Sequence, residues 1–227
     1  MILITGASKG IGKYLLMKYT KGQEKVFGTY NSTMPKEKAK DKKYFKVNIT
    51  SNKEIEEWLK SIDLDNQITL INCAGISYNA FAHKSDAEKW KKVIEVNLIG
   101  TYNLIRQLLP HMRDSNFGRI INFSSVAAQK GIAGVSAYSA SKSALWGMTK
   151  SIAVENASKG ITINNINLGY AELGMIEQVP DKYKETVINQ IPTGKFCTKE
   201  DIFKCVEFLR ENSYTNGSSV DLNGGLF

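Results

Sequence analysis

The chain opens with a strand pattern followed at once by a glycine-rich turn, and this pairing limits the folds open to it. Met1 to Thr5 form a short, continuous apolar run, and Gly6 to Gly12 read GASKGIG. Helix-like sequence then continues to about Lys21. Strand, glycine turn and helix are the context of a dinucleotide fingerprint, because glycines let the backbone approach a pyrophosphate and a helix N-terminus offers it free N–H groups. A tight turn with no ligand is the simpler alternative.

Strand and helix patterns then alternate to the end of the chain. Further strands are predicted at 25–30, 43–47, 68–72, 119–123, 161–166 and 219–222. Helices are predicted at about 51–62, 85–96, 100–112, 138–158 and 201–210. The first of these has a capping-box pattern, with Ser51 as N-cap and Glu54 three residues later. We therefore predict one α/β domain over residues 1–227, a Rossmann-type, doubly wound, mostly parallel seven-stranded sheet with helices on both faces.

Composition narrows the classes of partner. The net charge of +8 could serve nucleic acid, an acidic protein or a phosphorylated ligand. We predict no nucleic-acid partner and a solvated basic surface, because the lysines are dispersed and no nucleic-acid motif accompanies them. These lysines are Lys36, Lys38, Lys40, Lys42, Lys43, Lys89, Lys91 and Lys92.

The cysteines and the apolar runs indicate a cytoplasmic protein with no metal site and no membrane partner. Cys73, Cys197 and Cys205 are too few and too scattered for a disulfide framework or a zinc site, and Cys73 is expected to pack as a small hydrophobe. The opening strand and turn occupy the place of a signal peptide, and no apolar run approaches the length of a membrane span.

The segment INFSSVAAQKGIAGVSAYSASKSAL carries three side chains suited to one acid/base site. Tyr138 and Lys142 are four residues apart, so they lie one above the other on a helix. Ser125, thirteen residues before Tyr138, ends a strand and can face both. The phenol could transfer a proton, the ammonium could assist it, and the hydroxyl could hold a carbonyl. For Tyr138 alone, a packed tyrosine with a solvated tip is the alternative.

These motifs together make the sequence resemble the short-chain dehydrogenase/reductase family over essentially its whole length. Within that family it is most similar to the 3-oxoacyl-[acyl-carrier-protein] reductases, including the runs GRIINFSS and IPTGK. The matching motifs, in order, are TGASKGIG from Thr5, NCAG from Asn72, Asn97 in EVNLIG, Ser125, and YSASK from Tyr138 to Lys142.

The resemblance implies a mechanism for these residues. Tyr138 would donate a proton to the carbonyl oxygen while hydride arrives from a nicotinamide. Its ordinary pKa of about 10 is too high for easy exchange near neutrality, so Lys142 would favour the phenolate and also hold the nicotinamide ribose. Ser125 would orient the substrate oxygen, and Asn97 would complete a water-mediated proton path. Ser124 is interpreted as a plain hydroxyl at a strand end.

The resemblance also implies a nicotinamide cofactor, with NADP preferred. The region after the second strand, residues 29–33, has no carboxylate to repel a 2′-phosphate. Lys9 is where NADP-preferring relatives often carry a basic residue, although a solvated turn lysine is the alternative. Asn48 and Ile49 would contact the adenine. The implied cofactor-binding residues are Gly6, Ala7, Ser8, Lys9, Gly10, Ile11, Gly12, Asn31, Ser32, Asn48, Ile49, Asn72, Ala74, Gly75, Tyr138, Lys142 and Ala171.

Two positions depart from the family pattern. Leu168 replaces a proline with a fixed φ, and Leu173 replaces a threonine whose hydroxyl contacts the carboxamide. Backbone groups near Ala171 could still hold the carboxamide. Residues 175–195 are predicted to form the lid of the substrate pocket.

Three hypotheses about function follow. The first is a ketoreductase acting on a carrier-protein thioester, with Arg113, Arg119 and Lys159 as docking candidates or ordinary solvated charges. The second is the same chemistry on another small carbonyl, such as a sugar derivative. The third is a non-catalytic nucleotide-binding member of the family. The resemblance implies a homotetramer or homodimer, with the helices at about 100–112 and 138–158 and the C-terminal strand region as interfaces.

Overall fold

A computed structural model describes residues 1–35, 43–178 and 180–227, apart from the side chains of four residues between 175 and 183. The lysines at 36, 38, 40 and 42, interpreted as solvated, lie outside the described residues. The described chain forms a single seven-stranded sheet in the order β3-β2-β1-β4-β5-β6-β7. The strands are β1 (Ile2–Thr5), β2 (Val26–Tyr30), β3 (Tyr44–Lys46), β4 (Thr69–Asn72), β5 (Gly118–Ser125), β6 (Ile161–Leu168) and β7 (Ser219–Leu222).

All strand pairings within this sheet are parallel, which confirms the predicted fold class. The strand order reverses between β1 and β4. In open α/β sheets, ligands bind in the crevice beyond the carboxyl ends of the strands at such a reversal. The crevice is therefore flanked by the glycine turn after β1 and by residues 73–75 after β4.

Helices cover both faces of the sheet. The helices are α1 (Gly10–Tyr19), α2 (Asn52–Ser61), α3 (Ala87–Ile94), α4 (Thr101–Asp114), α5 (Ser136–Asn156), α6 (Asp181–Ile188) and α7 (Lys199–Glu211). On one face, α1 and α7 bury residues such as Leu15 and Val206. On the other, α2, α4 and α5 bury residues such as Ile55, Leu104 and Ile152. Burying apolar residues on both faces is what a parallel sheet requires.

Two predicted helices prove to be continuous. A π-helical segment, Glu95–Gly100, joins α3 directly to α4, so the prediction of separate helices at 85–96 and 100–112 is wrong. The segment contains Asn97, whose side chain is fully buried and makes three hydrogen bonds to residues outside the helix. Single π turns inside α-helices often occur at functional sites.

Other boundaries differ from the predictions for local reasons. β6 runs two residues further than predicted because Leu168, unlike a proline, can pair with both neighbouring strands, opposite Ser125 and Leu222. The capping box at α2 is only half formed. The Ser51 hydroxyl accepts from the Glu54 N–H, but the Glu54 carboxylate accepts from the Asn48 N–H.

Arg119 is buried, so both predictions for it, a docking cation and a solvated charge, are wrong. Its guanidinium donates to the backbone carbonyls of Gly118, Gly160 and Arg210 at 2.9–3.1 Å. Burial lowers its pKa. Arg119 therefore ties the amino end of β5 to two neighbouring segments.

Within the described part of the chain, no helix has the length and apolar character needed to cross a membrane. The same residues contain no cluster of three or more His, Cys, Asp or Glu side chains that could hold a metal ion. The three cysteines are free thiols.

Candidate active site

The glycine turn packs directly against the end of β4. Gly6 has φ +64°, and a Cβ there would lie 2.8 Å from the Cα of Ala74, so only glycine allows this approach without strain. The Thr5 hydroxyl accepts a hydrogen bond from the Ala74 N–H at 3.0 Å. The two flanks of the crevice are thus held together by β1 itself.

The N-terminus of α1 is suited to a phosphate group. Its N-cap residue, Lys9, is exposed and makes no side-chain capping bond, and the first turn carries no acidic residue. The first N–H groups of a helix have no partner within it, and the helix dipole favours an anion there. The turn and the helix end therefore fit the pyrophosphate of a dinucleotide.

Lys142 is buried on α5, and its ammonium is held against the sheet. The Nζ atom donates to the backbone carbonyl of Phe123 at 2.7 Å and lies 5.6 Å from the centroid of the Tyr138 ring. Burial lowers the pKa of Lys142 to about 8, and the nearby Cys73 thiol partly opposes this shift. A lysine with such a pKa exchanges protons readily near neutrality.

Tyr138 and Ser125 meet, as the sequence predicts. The Ser125 hydroxyl lies near the Tyr138 phenol and accepts the Ala127 N–H at 3.1 Å. Burial raises the pKa of Tyr138, and the neighbouring Ser125 hydroxyl opposes the rise because it favours the phenolate. The expectation that Lys142 depresses this pKa is not met in this arrangement, where the ammonium is bonded to the Phe123 carbonyl.

Asn97 joins the loop after β4 to the catalytic helix. Its side chain accepts the Ile76 N–H at 2.8 Å and donates to the Ile76 carbonyl at 2.9 Å and to the Ser141 hydroxyl at 3.0 Å. Gly75 lies beside it, where a Cβ would be 3.3 Å from the Asn97 Oδ1 and 3.6 Å from the Lys142 Nζ. Asn97 and Lys142 therefore border the same small space, under Gly75.

The remaining predicted cofactor residues are distributed along the same edge of the sheet. Asn31 and Ser32 follow β2 and are exposed. Asn48 accepts through Oδ1 from the N–H and hydroxyl of Thr50, and Ile49 is buried beside it. Asn72 is buried in the sheet and donates to the Asn122 Oδ1 at 2.8 Å, which separates its side chain from the crevice-facing residues 74 and 75.

The chain after β6 passes beside the glycine turn. A Cβ on Gly10 would lie 2.9 Å from the Cα of Gly174, next to the half-buried Leu173. Ala171 is buried in a parallel β-bridge with Cys197, made by the Tyr170 carbonyl and the Glu172 N–H. Because peptide groups alternate in direction along extended chain, the N–H and C=O of Ala171 itself face away from Cys197.

The interpretation of Ser124 as a plain hydroxyl at a strand end is wrong. Ser124 is buried rather than a free strand-end hydroxyl, and it donates to the backbone carbonyl of Lys142 at 3.0 Å. Trp146 and Asn167 belong to the same group of hydrogen bonds. The sequence signal of this group is the set of three asparagines within β6, Asn164, Asn165 and Asn167.

The fold and these side chains define a class, the nucleotide-binding α/β oxidoreductases. The family model described as short chain dehydrogenase matches residues 1–184. The chain therefore belongs to the short-chain dehydrogenase/reductase family, and it is an oxidoreductase acting on a CH–OH/C=O pair.

Several of the proteins that the chain is similar to are reductases by name. The chain is 36% identical to the acetoacetyl-CoA reductase of Rhizobium meliloti (strain 1021), covering 99% of this chain and 97% of the relative. It is 33% identical to the 3-oxoacyl-[acyl-carrier-protein] reductase FabG of Vibrio cholerae, covering 99% and 96%. A solved structure of levodione reductase superposes with a TM-score of 0.91 at 26% identity, covering 99% and 96%.

Proposed function

We propose that this protein is an NADPH-dependent ketoreductase that reduces a 3-oxoacyl thioester to the 3-hydroxyacyl thioester. The observation that carries the proposal is the meeting of Ser125, Tyr138 and Lys142 at the carboxyl end of β5, with Lys142 under Gly75 in the loop that flanks the crevice. Proton donor, cation and hydroxyl are the groups needed to reduce a carbonyl once a hydride source is bound.

Each of the four residues has a proposed role. NADPH, when bound, supplies the hydride. Tyr138 donates the proton to the carbonyl oxygen, and Ser125 orients that oxygen through its hydroxyl. Lys142, with a pKa of about 8, is suited to return a proton to the site after Tyr138 has given up its own. Asn97 borders the space under Gly75 beside Lys142, where it supports a proton path.

The residues predicted from the sequence, apart from the buried Asn72, would hold the cofactor. The N–H groups at the start of α1 would bind the pyrophosphate, and the loop after β4 would line the adenosine side. The outward-facing amide of Ala171 supports a backbone contact to the carboxamide, which replaces the hydroxyl lost at Leu173. NADPH is favoured over NADH because Lys9, in the glycine turn, can pair with a 2′-phosphate. In addition, the polar, exposed Asn31 and Ser32 stand where an acidic residue would repel that phosphate.

Replacing Lys9 with alanine is expected to weaken NADPH binding about tenfold and to leave NADH binding unchanged. A charge-assisted contact to a phosphate accounts for a loss of this size, about 1.4 kcal/mol. Fluorescence titration of both cofactors measures it. Lys21→Ala, an exposed lysine beyond the other end of α1, is the matched control. Equal losses for NADPH and NADH in Lys9→Ala would contradict the assignment.

The thioester substrate rests on the names of the relatives, and a second candidate stays open. Another small carbonyl, such as a sugar derivative, would use the same four residues. The test is NADPH and NADH oxidation by the purified protein with acetoacetyl-CoA, an acetoacetyl carrier protein, simple ketones and sugar-derived carbonyls. Turnover only on non-thioesters selects the second candidate, and cofactor binding without turnover on the whole panel supports a non-catalytic member.

We also propose a cytoplasmic homotetramer or homodimer. The support is three exposed apolar side chains on the long helices: Ile99 in the π-helical segment, Tyr102 at the start of α4 and Val154 on α5. Light scattering in solution measures the assembly, and a monomer at micromolar concentration contradicts it.

A further inference from the structure

Two successive residues of β5 hold the two ends of Lys142. The Phe123 carbonyl accepts from the ammonium at 2.7 Å, and the Ser124 hydroxyl donates to the lysine's own backbone carbonyl at 3.0 Å. Ser124 is only 3% exposed. The main chain of α5 at Lys142 is thereby fixed to the strand whose next residue is Ser125.

An indole N–H orients the hydroxyl of Ser124. Trp146 lies one helical turn after Lys142, and its Nε1–H is shared between the Ser124 Oγ at 3.1 Å and the Asn167 Oδ1 at 2.9 Å. An indole nitrogen only donates. The Ser124 oxygen is therefore an acceptor toward Trp146, which directs its own proton to the carbonyl of Lys142.

The same group of bonds extends across the sheet to its last strand. Ser124, Asn167 and Asp221 stand side by side in register on β5, β6 and β7. The Asp221 Oδ1 accepts from the Asn167 amide at 2.7 Å and from the Gln129 amide at 2.8 Å. Gln129 follows the short turn after Ser125. The three residues in register are therefore bonded to the chain both before Ser125, through Ser124, and after it, through Gln129.

We propose that Ser124 and Trp146 are positioning residues that set the place of the Lys142 ammonium through its main chain. The proposal rests on the proposed function in one respect, the catalytic role of Lys142. Besides the Phe123 carbonyl, the ammonium faces the Tyr138 ring on its own helix and the Cys73 thiol at the end of β4. A small displacement of α5 at this point alters the distances from the ammonium to the Phe123 carbonyl and to the Cys73 thiol, which lie outside that helix.

A neighbouring polar row provides a matched control. Asn72, Asn122, Asn165 and Ser219 also stand in register, on β4 to β7. Thr149 of α5 donates to the Asn165 Oδ1 at 2.9 Å and accepts from the Asn122 amide at 3.2 Å. Thr149 is as buried as Ser124 but bonds to neither end of Lys142. Thr149→Val therefore removes a buried hydroxyl from α5, the helix that carries Lys142, without removing a hydrogen bond of that lysine.

The test compares Ser124→Ala and Trp146→Phe with Thr149→Val. In protein carrying ¹³C-labelled lysine, the Cε resonance of Lys142, assigned with Lys142→Met, is followed against pH. We expect its pKa to rise from about 8 by roughly half a unit or more in the two test variants, because the released ammonium reaches more solvent. Thr149→Val should titrate like the wild type. We also expect kcat to fall about tenfold with KM for NADPH changed less than about twofold.

An unchanged Lys142 titration in both test variants overturns the proposal, as does an equal shift in Thr149→Val. If Ser124→Ala does not fold, the titration of Lys142 in Trp146→Phe tests the proposal by itself. The titration needs no turnover. A wild-type protein that reduces no carbonyl therefore defeats the proposed function, while the titration still reports whether Ser124 and Trp146 position the lysine.

Discussion

Replacing Tyr138 with phenylalanine is expected to lower kcat at least about 100-fold while NADPH still binds. A positioned general acid contributes about 10²–10⁴ in rate, and only the phenol among the described residues at this site is placed to give its proton to an oxygen that Ser125 holds. The ring itself stays in place, so the packing of α5 is kept. Initial rates of NADPH oxidation and a fluorescence titration of NADPH measure the two parts of this result.

The control for this variant is Tyr214→Phe, which removes the same hydroxyl from a residue that is 98% exposed. It should retain wild-type kcat. Undiminished turnover in Tyr138→Phe would mean that another group is the proton donor, and the proposed mechanism would then be wrong. Loss of NADPH binding in Tyr138→Phe would instead indicate a binding role.

Replacing Lys142 with methionine is expected to abolish turnover and yet to stabilise the fold at neutral pH. Burial lowers the pKa of Lys142 to about 8, against about 10.4 in an unfolded chain. The charged form therefore destabilises the folded state, fully below pH 8 and progressively less as pH rises toward 10.4. Removing the charge therefore raises the free energy of unfolding. Losing the bond to the Phe123 carbonyl lowers it by about 1 kcal/mol, so the net stabilisation expected for Lys142→Met is about 2 kcal/mol.

The direction in which stability changes with pH follows from the number of protons bound in the folded and unfolded states. Between pH 8 and 10.4 the unfolded chain binds more protons than the folded one, so the free energy of unfolding of the wild type rises with pH over this window. Urea unfolding at pH 7 and pH 10 should therefore show an advantage of Lys142→Met that shrinks at the higher pH. Lys150→Met, an exposed lysine on the same helix, should show no change at either pH. A variant less stable than wild type at pH 7 contradicts the assigned burial cost.

The fold could be predicted because it depends on patterns that are local in the sequence. Apolar runs of four to eight residues separated by helical stretches require a covered parallel sheet, whatever the details of packing. The spacing of Tyr138 and Lys142 is local too, since four residues on a helix bring two side chains together. Ser125 could be added because it ends a strand pattern beside them.

What could not be predicted depends on contacts between distant segments. Ser124 bonds to a carbonyl eighteen residues away, and only the packing of α5 on β5 makes that meeting possible. Arg119 was interpreted as a surface charge because two of its three acceptors are carbonyls of distant segments, at Gly160 and Arg210, which carry no sequence signal. Likewise, the π segment at Asn97 follows from the burial of one amide, which periodicity does not register.

In the proposed reaction, hydride passes directly from NADPH to a carbonyl that Tyr138 protonates. The decisive measurement uses NADPH carrying deuterium at both C4 positions, with acetoacetyl-CoA as substrate and mass spectrometry of the product. We expect a 3-hydroxybutyryl thioester with one deuterium, bound at C3, formed in a one-to-one ratio with oxidised cofactor and at least about 100-fold more slowly by Tyr138→Phe. Product without deuterium at C3, or product formed equally fast by Tyr138→Phe, would show that the protein does not use this reaction.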